Sequence, residues 1–165
     1  MNTTLLIRTA LDFVSQREVP GNQGFYDEKF ETRMEQTGWK QGEAWCSYFV
    51  ELVLRTVGLE DHAAILSASA VQTWKNCQNS TLFSTSEKPE LGNIIIWQKY
   101  VGGQKTWQGH AGIVVGMDKG LLITIEGNTN SEGDREGDMV ALKIRNYTLK
   151  PENGLRVLGF IRVII

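Results

Sequence analysis

One of the two cysteines, Cys46, stands at the start of an apolar segment with helical periodicity, AWCSYFVELVL at residues 44–54. A free cysteine is ordinarily a small buried hydrophobe. The N-terminus of a helix, however, stabilises a thiolate, which is the nucleophilic form of the side chain. Cys46 is therefore either a core thiol or a nucleophile, whereas Cys77 is expected to be a core or half-exposed thiol.

The two histidines are the candidates for a base that would take the proton of the thiol. His62 lies in GLEDHAAI with nothing reactive nearby, and we expect a surface or loop role. His110 lies in GHAGIVVG, where flanking glycines leave the imidazole accessible at the start of an apolar strand. Taken alone, His110 fits a structural histidine at a strand edge equally well.

A third segment, ITIEGNTN at residues 123–130, reads as a strand that ends near Glu126. Alternation places Thr124 and Glu126 on one face of the sheet. A hairpin turning near Lys119 brings Glu126 beside His110, within about one register slip. A thiol, an imidazole and an orienting polar group are the parts of a cysteine hydrolase, so the three segments together favour the nucleophile interpretation.

Length and charge restrict the class of protein. A chain of 165 residues with a net charge of −2 is long enough for a sizeable core and shows no basic stripe for nucleic acid. The N-terminus lacks the pattern of a signal peptide, and no stretch reaches membrane-spanning length. We therefore expect synthesis in the cytoplasm, reduced cysteines, and no membrane insertion.

The hydrophobic period changes along the chain, from helical in the first half to strand-like in the second. The helical half covers about residues 1–77, a polar loop about 78–92, and the strand-rich half about 93–165. This order predicts an α+β fold with N-terminal helices packed on a C-terminal antiparallel sheet. Helices are predicted at 3–17, 27–36 with Asp27 as the cap, 46–57 and 69–77, and strands at 93–98, 111–117, 121–126, 140–145 and 156–163.

Three blocks, EAWCSYFV, GHAGIVV and IEGNT, resemble the signature blocks of the CHAP family, cysteine- and histidine-dependent amidohydrolases and peptidases of the papain-like superfamily. The upstream GNQG and the strand LGNIIIW also match, with Asn93 where the family usually has aspartate. The resemblance implies a single papain-like catalytic domain over 1–165. It also implies Cys46 as nucleophile, His110 as base, orienting roles for Glu126 and Asn128, and amide bonds of bacterial peptidoglycan as substrate.

Further positions are candidates for binding. Trp39 and Trp107 flank the catalytic blocks and could wall a groove for a sugar-peptide polymer. Gln41 is either a second oxyanion-hole donor, beside the Cys46 backbone N–H, or a plain exposed glutamine. We expect no cofactor and no metal. The loop at 128–133 resembles the start of a calcium loop, but Met139 stands where the closing glutamate belongs.

The same sequence is compatible with other functions. The same fold can serve as a non-hydrolytic module that binds cell-wall peptide or forms part of a phage particle, and it can act on a small glutathione-like or peptide amide. A wall hydrolase without a signal peptide would be a released phage lysin or an injected toxin. A toxin of this kind would have a cognate inhibitor protein.

Overall fold

The computed structural model describes residues 3–129 and 137–164, which form an antiparallel sheet covered by helices. The candidate calcium loop at 128–133 lies mostly outside the described residues. The helices are α1 (Thr3–Asp12), α2 (Glu28–Glu35), α3 (Cys46–Thr56), α4 (Glu60–Ala63) and α5 (Ala70–Gln78). The strands are β1 (Phe83–Ser86), β2 (Ile94–Val101), β3 (Gln104–Asp118), β4 (Leu121–Thr129), β5 (Met139–Arg145) and β6 (Gly154–Val163).

The six described strands form one sheet in the order β1-β6-β2-β3-β4-β5, and every neighbouring pair is antiparallel. Helix α3 packs on β3 and β4 and is covered in turn by α1, α2 and α4. Because it is surrounded in this way, every residue of α3 from Cys46 to Leu54 is buried. The α+β prediction, with N-terminal helices on a C-terminal antiparallel sheet, is confirmed.

Helix α1 is shorter than predicted because the chain leaves it to pair with the sheet. After Asp12 the backbone turns, Ser15 adopts a positive φ of 80°, and its N–H donates to the Val140 carbonyl. Arg17 then forms a bridge pair with Met139 on β5. Long-range hydrogen bonds thus replace the last predicted turn of the helix.

Two short elements lie where the sequence predicts none. Strand β1 falls inside the predicted loop at 78–92 and pairs with β6 at the edge of the sheet. Helix α4 buries His62, whose Nε2 lies 2.8 Å from the Ile164 carbonyl oxygen and whose ring packs edge-on against Phe83. The expected surface or loop role for His62 is therefore wrong, because Ile164 and Phe83 pack against its ring.

None of the described helices is long and apolar enough to cross a bilayer.

Candidate active site

Cys46 is the first residue of α3, as the sequence predicts, and it lines a surface cleft. Trp45 occupies the N-cap position, and no side chain caps the helix there. Cys46 is only 6% exposed, yet it borders a cleft of about 570 Å³ together with Tyr48, Ser69 and Trp107. Cys46 is therefore mostly shielded from solvent and lies in the wall of the cleft.

The segment that carries Cys46 is held in place by polar contacts of its neighbour Trp45. Asn128 Oδ1 accepts the Trp45 backbone N–H at 2.7 Å, and Asn128 Nδ2 donates to the Gly137 carbonyl at 2.9 Å. The indole N–H of Trp45 donates to Glu18. Asn128 thus holds the loop before Cys46: its side-chain oxygen and nitrogen both hydrogen-bond backbone groups, and Glu126 is the residue that contacts the imidazole.

Close packing of α3 on β4 brings Cys46 towards the sheet. A Cβ added at Gly127 would lie 2.6 Å from Phe49 Cβ and 2.7 Å from Trp45 Cζ3. Because real carbon atoms do not approach so closely, only glycine allows the helix to lie at this distance from the strand.

His110 and Glu126 meet as expected, but along a diagonal of the sheet. His110 Nε2 lies 2.8 Å from Glu126 Oε2, and both side chains are fully buried. Ile113 pairs with Ile125, so Gly112 stands opposite Glu126 and His110 lies two residues further along. His110 is thus two residues from direct opposition to Glu126, because the turn pairs Asp118 with Leu121, and the bulge between Val114 and Gly116 reduces that offset from three residues to two.

Gly112 makes this diagonal contact possible. A Cβ at position 112 would lie 2.7 Å from Glu126 Cγ and 3.1 Å from the Ile125 carbonyl oxygen. The Glu126 side chain therefore crosses the space that any other residue at 112 would fill.

We expect Gly112→Ala to destabilise the protein by about 1–3 kcal/mol, because the added methyl group overpacks the buried Glu126. Chemical denaturation monitored by tryptophan fluorescence measures the change. Gly116→Ala on the same strand is the matched control, since its added carbon would meet the flexible end of Ile123 at 3.0 Å. An equal or larger loss in Gly116→Ala would contradict the explanation.

Glu126 is itself anchored by two further residues. Thr124 Oγ1 donates to Oε1 at 2.6 Å, and Arg145 Nε donates to the same oxygen at 2.8 Å. Arg145 Nη2 donates to Oε2, so the guanidinium forms a bidentate pair of hydrogen bonds with the carboxylate. The Arg145 guanidinium also lies over the ring of Trp97, at 5.4 Å, and the Trp97 ring lies 5.5 Å from the His110 ring.

Arg145 is the site residue that sequence reasoning missed. It ends β5, where Leu122 is its partner on β4, and Thr124 pairs with Lys143. The only sequence signal is the strand alternation that places Lys143 and Arg145 on one face. The connection at 130–138 is too long for a turn rule to set the register with β4, so that signal could not identify the partner of Arg145.

Charges around the imidazole set its protonation. Burial alone lowers the pKa of His110, but the neighbouring charge and hydrogen bond of Cys46, with those of Glu126, outweigh burial and raise it to about 9. Burial likewise opposes the ionised form of Glu126, but the hydrogen bonds and charges of Arg145 and His110 lower its pKa to about 2. At neutral pH the arrangement favours a protonated imidazole next to the Glu126 carboxylate.

The two ring nitrogens face different partners. Nε2 is engaged by Glu126, whereas the buried Nδ1 makes no hydrogen bond of standard geometry within the described residues. Because Glu126 occupies Nε2, Nδ1 is the ring nitrogen through which the thiol of Cys46 can act on the imidazole. Such an arrangement can generate a nucleophile and return a proton to a leaving group.

The remaining predicted residues divide between the cleft and the core. Trp107 is 78% exposed and lines the cleft beside Cys46. Trp39 is buried against Phe25, with its indole N–H bonded to the Glu43 carbonyl, so its predicted binding role is wrong. Gln41 is exposed and is not among the described residues lining the cleft, as expected for a plain surface glutamine.

Cys77 provides a contrast to Cys46. It is buried on α5, and desolvation raises the pKa of its thiol to about 12. This thiol lacks the environment that favours a thiolate.

Comparison with known proteins gives one match. The sequence model of a protein family described as the CHAP domain matches residues 36–128, more than half of the chain. The matched range contains Cys46, His110 and Glu126 and ends before Arg145. No curated protein and no solved structure shows a significant match.

Proposed function

The chain belongs to the CHAP domain family, whose members are in general amidases and peptidases of peptidoglycan, and on that premise we propose that it is a cysteine hydrolase that cleaves an amide bond of peptidoglycan. The observation that carries the proposal is the buried His110–Glu126 pair beside a cysteine that opens a helix and borders a cleft.

The first half of the proposed reaction forms an acyl-enzyme. The Cys46 thiolate attacks the amide carbonyl, and the carbonyl oxygen becomes an oxyanion near the N-terminus of α3. The Cys46 backbone N–H, at an end that no side chain caps, supplies one donor to that oxyanion. The imidazolium of His110 then gives its proton to the leaving nitrogen, and the C–N bond breaks.

The second half releases the acid. Neutral His110 takes a proton from water, the hydroxide adds to the thioester carbonyl, and the C–S bond breaks to restore the thiolate. Glu126 keeps Nε2 protonated throughout, so that Nδ1 exchanges the proton. Arg145 and Thr124 act as positioning residues because they hold the Glu126 carboxylate rather than the substrate.

The shape of the cleft supports a polymeric substrate. Its walls include small side chains at Ala44, Ala68 and Ala70, which leave room for a chain to pass. Trp107 projects from β3 beside them and offers an exposed apolar face. Aromatic faces of this kind bury the apolar surfaces of sugars and peptides at little entropic cost.

Digestion of purified peptidoglycan tests the proposal. We expect the wild-type protein to release soluble fragments whose masses differ from the intact wall by hydrolysis of one amide bond type, and mass spectrometry identifies that bond. The Cys46→Ala protein is the control and should release none. Binding to the wall without release of fragments would support a non-hydrolytic module instead, and hydrolysis restricted to small amides would favour the glutathione-like or peptide amide substrate.

A further inference from the structure

One exposed carboxylate in the cleft, that of Glu43, is held unusually firmly for a surface side chain. Its Oε2 accepts the Tyr48 hydroxyl at 2.9 Å and the Lys40 backbone N–H at 3.3 Å. Its own carbonyl accepts the indole N–H of the buried Trp39, and its N–H donates to the Lys40 carbonyl. Exposed glutamates ordinarily sample many rotamers. Because these hydrogen bonds already hold Glu43 in one conformation, its side chain loses less conformational entropy when a ligand binds.

Tyr48 keeps the arrangement intact over a wide range of pH. Desolvation, followed by the hydrogen bond and charge of Glu43, raises the pKa of the Tyr48 hydroxyl to about 12. The hydroxyl therefore remains a donor to the carboxylate at every pH at which the protein would work. Tyr48 lies on α3, the helix that begins with Cys46. Its hydrogen bond therefore fixes the position of the Glu43 carboxylate relative to Cys46.

The rest of the cleft offers no compensating charge. Among the described residues that line it, Glu43 is the only carboxylate, and none is a lysine or an arginine. Glu43 precedes Cys46 by three residues, so their Cα atoms lie at most about 11 Å apart. A ligand group that meets Glu43 would thus lie within a few residues of the amide attacked by Cys46.

We infer that Glu43 recognises a primary ammonium group of the substrate, close to the amide bond that is cleaved. The inference rests on the proposed function and narrows its substrate to peptides that carry a free amine, such as stem peptides whose diamino residue is not cross-linked. An ammonium would donate to the Glu43 carboxylate, and Trp107 in the wall of the same cleft offers an aromatic ring, a group that also attracts cations.

Glu43 is distinct from the group that supports the imidazole. Glu126 fills that role from inside the sheet, where it is fully buried and bound by His110 and Arg145. Glu43 is exposed, and its hydrogen-bond partners are Tyr48 and the Lys40 backbone. Its substitution should therefore change which substrate binds rather than the chemical step.

The test measures binding, so it does not depend on hydrolysis. Cys46→Ala protein is titrated calorimetrically with two stem peptides that differ only at a lysine ε-amino group, free in one and acetylated in the other. We expect the free amine to bind roughly fivefold to tenfold more tightly. In the Cys46→Ala, Glu43→Gln protein this preference should fall below about twofold, since glutamine keeps an acceptor for Tyr48 but has no charge.

The matched control is the Cys46→Ala, Glu87→Gln protein, which loses an exposed glutamate outside the cleft and should keep the preference. Equal binding of the two peptides, absence of binding by both, or a preference that survives Glu43→Gln would overturn the inference. If the Cys46→Ala protein shows no preference while the wild-type protein digests peptidoglycan, this inference alone is overturned. If the Cys46→Ala protein shows the preference and Glu43→Gln abolishes it, but the wild-type protein digests no peptidoglycan, the proposed hydrolysis is overturned and recognition of the cation by Glu43 stands.

Discussion

Replacement of Cys46 by alanine is expected to lower the rate of amide hydrolysis at least about 10³-fold, because Cys46 is the nucleophilic side chain of the cleft that interacts with the His110 imidazole. Release of soluble fragments from peptidoglycan, followed by mass spectrometry, measures the loss. The fold should survive, since alanine is a smaller apolar side chain with high helix propensity at the first position of α3.

Cys77→Ala is the matched control for this prediction. A thiol whose pKa is about 12 is ionised to roughly one part in 10⁵ at pH 7, so its removal should leave hydrolysis intact.

Alkylation with iodoacetamide provides a second readout, and Cys46 should react much faster than Cys77 in the wild-type protein. Equally slow labelling of both thiols, or full activity of the Cys46→Ala protein, would contradict the nucleophile assigned to this chain.

Glu126→Gln is expected to produce the second large effect, a loss of roughly 10²- to 10⁴-fold in kcat. The amide keeps the shape of the side chain but removes the negative charge that stabilises the imidazolium. It also leaves the guanidinium of Arg145 without its carboxylate partner in a site that is mostly shielded from water. Steady-state hydrolysis of a peptide amide measures kcat, and denaturation measures the accompanying loss of stability.

The pH dependence distinguishes this electrostatic role from a structural one. Glu126 helps to raise the pKa of His110 to about 9, so without its charge we expect the imidazolium to deprotonate at lower pH. The basic limb of the kcat profile should therefore move towards neutral pH in Glu126→Gln. Glu51→Gln is the control, since Glu51 is a buried glutamate on α3 that pairs with Arg55 away from the cleft. A basic limb that stays in place would refute the proposed role of Glu126.

The same pKa values locate the pH window in which the site stabilises the fold. The pKa of His110 is raised from 6.5, so its contribution is complete below about 6.5 and is lost as the pH rises through about 9. The pKa of Glu126 is lowered from 4.5, so its contribution is complete above about 4.5 and is lost as the pH falls through about 2. Both contributions are complete only between about pH 4.5 and 6.5.

Local rules were enough to predict the elements that carry the site. The apolar face after Cys46 and the strand alternation around Glu126 are short-range patterns, and each depends on a repeat of a few residues. A tight turn joins β3 to β4, so the sequence also placed His110 near Glu126 without knowledge of the rest of the fold. The two-residue offset from direct opposition comes from the position of that turn, which pairs Asp118 with Leu121, and a bulge with no clear sequence signal reduces it by one residue.

Tertiary structure decided the contacts that join distant segments. The side chain of Asn128 hydrogen-bonds the backbone beside Cys46. Trp39 is buried although it flanks the site in sequence. Arg145 binds Glu126 from a strand that follows a long connection. The sequence by itself determined which chemical groups are present and which face of each element they occupy. Which of those groups touch depended on how the sheet and α3 pack, because hydrogen bonds and burial act between atoms close in space, however far apart they are along the chain.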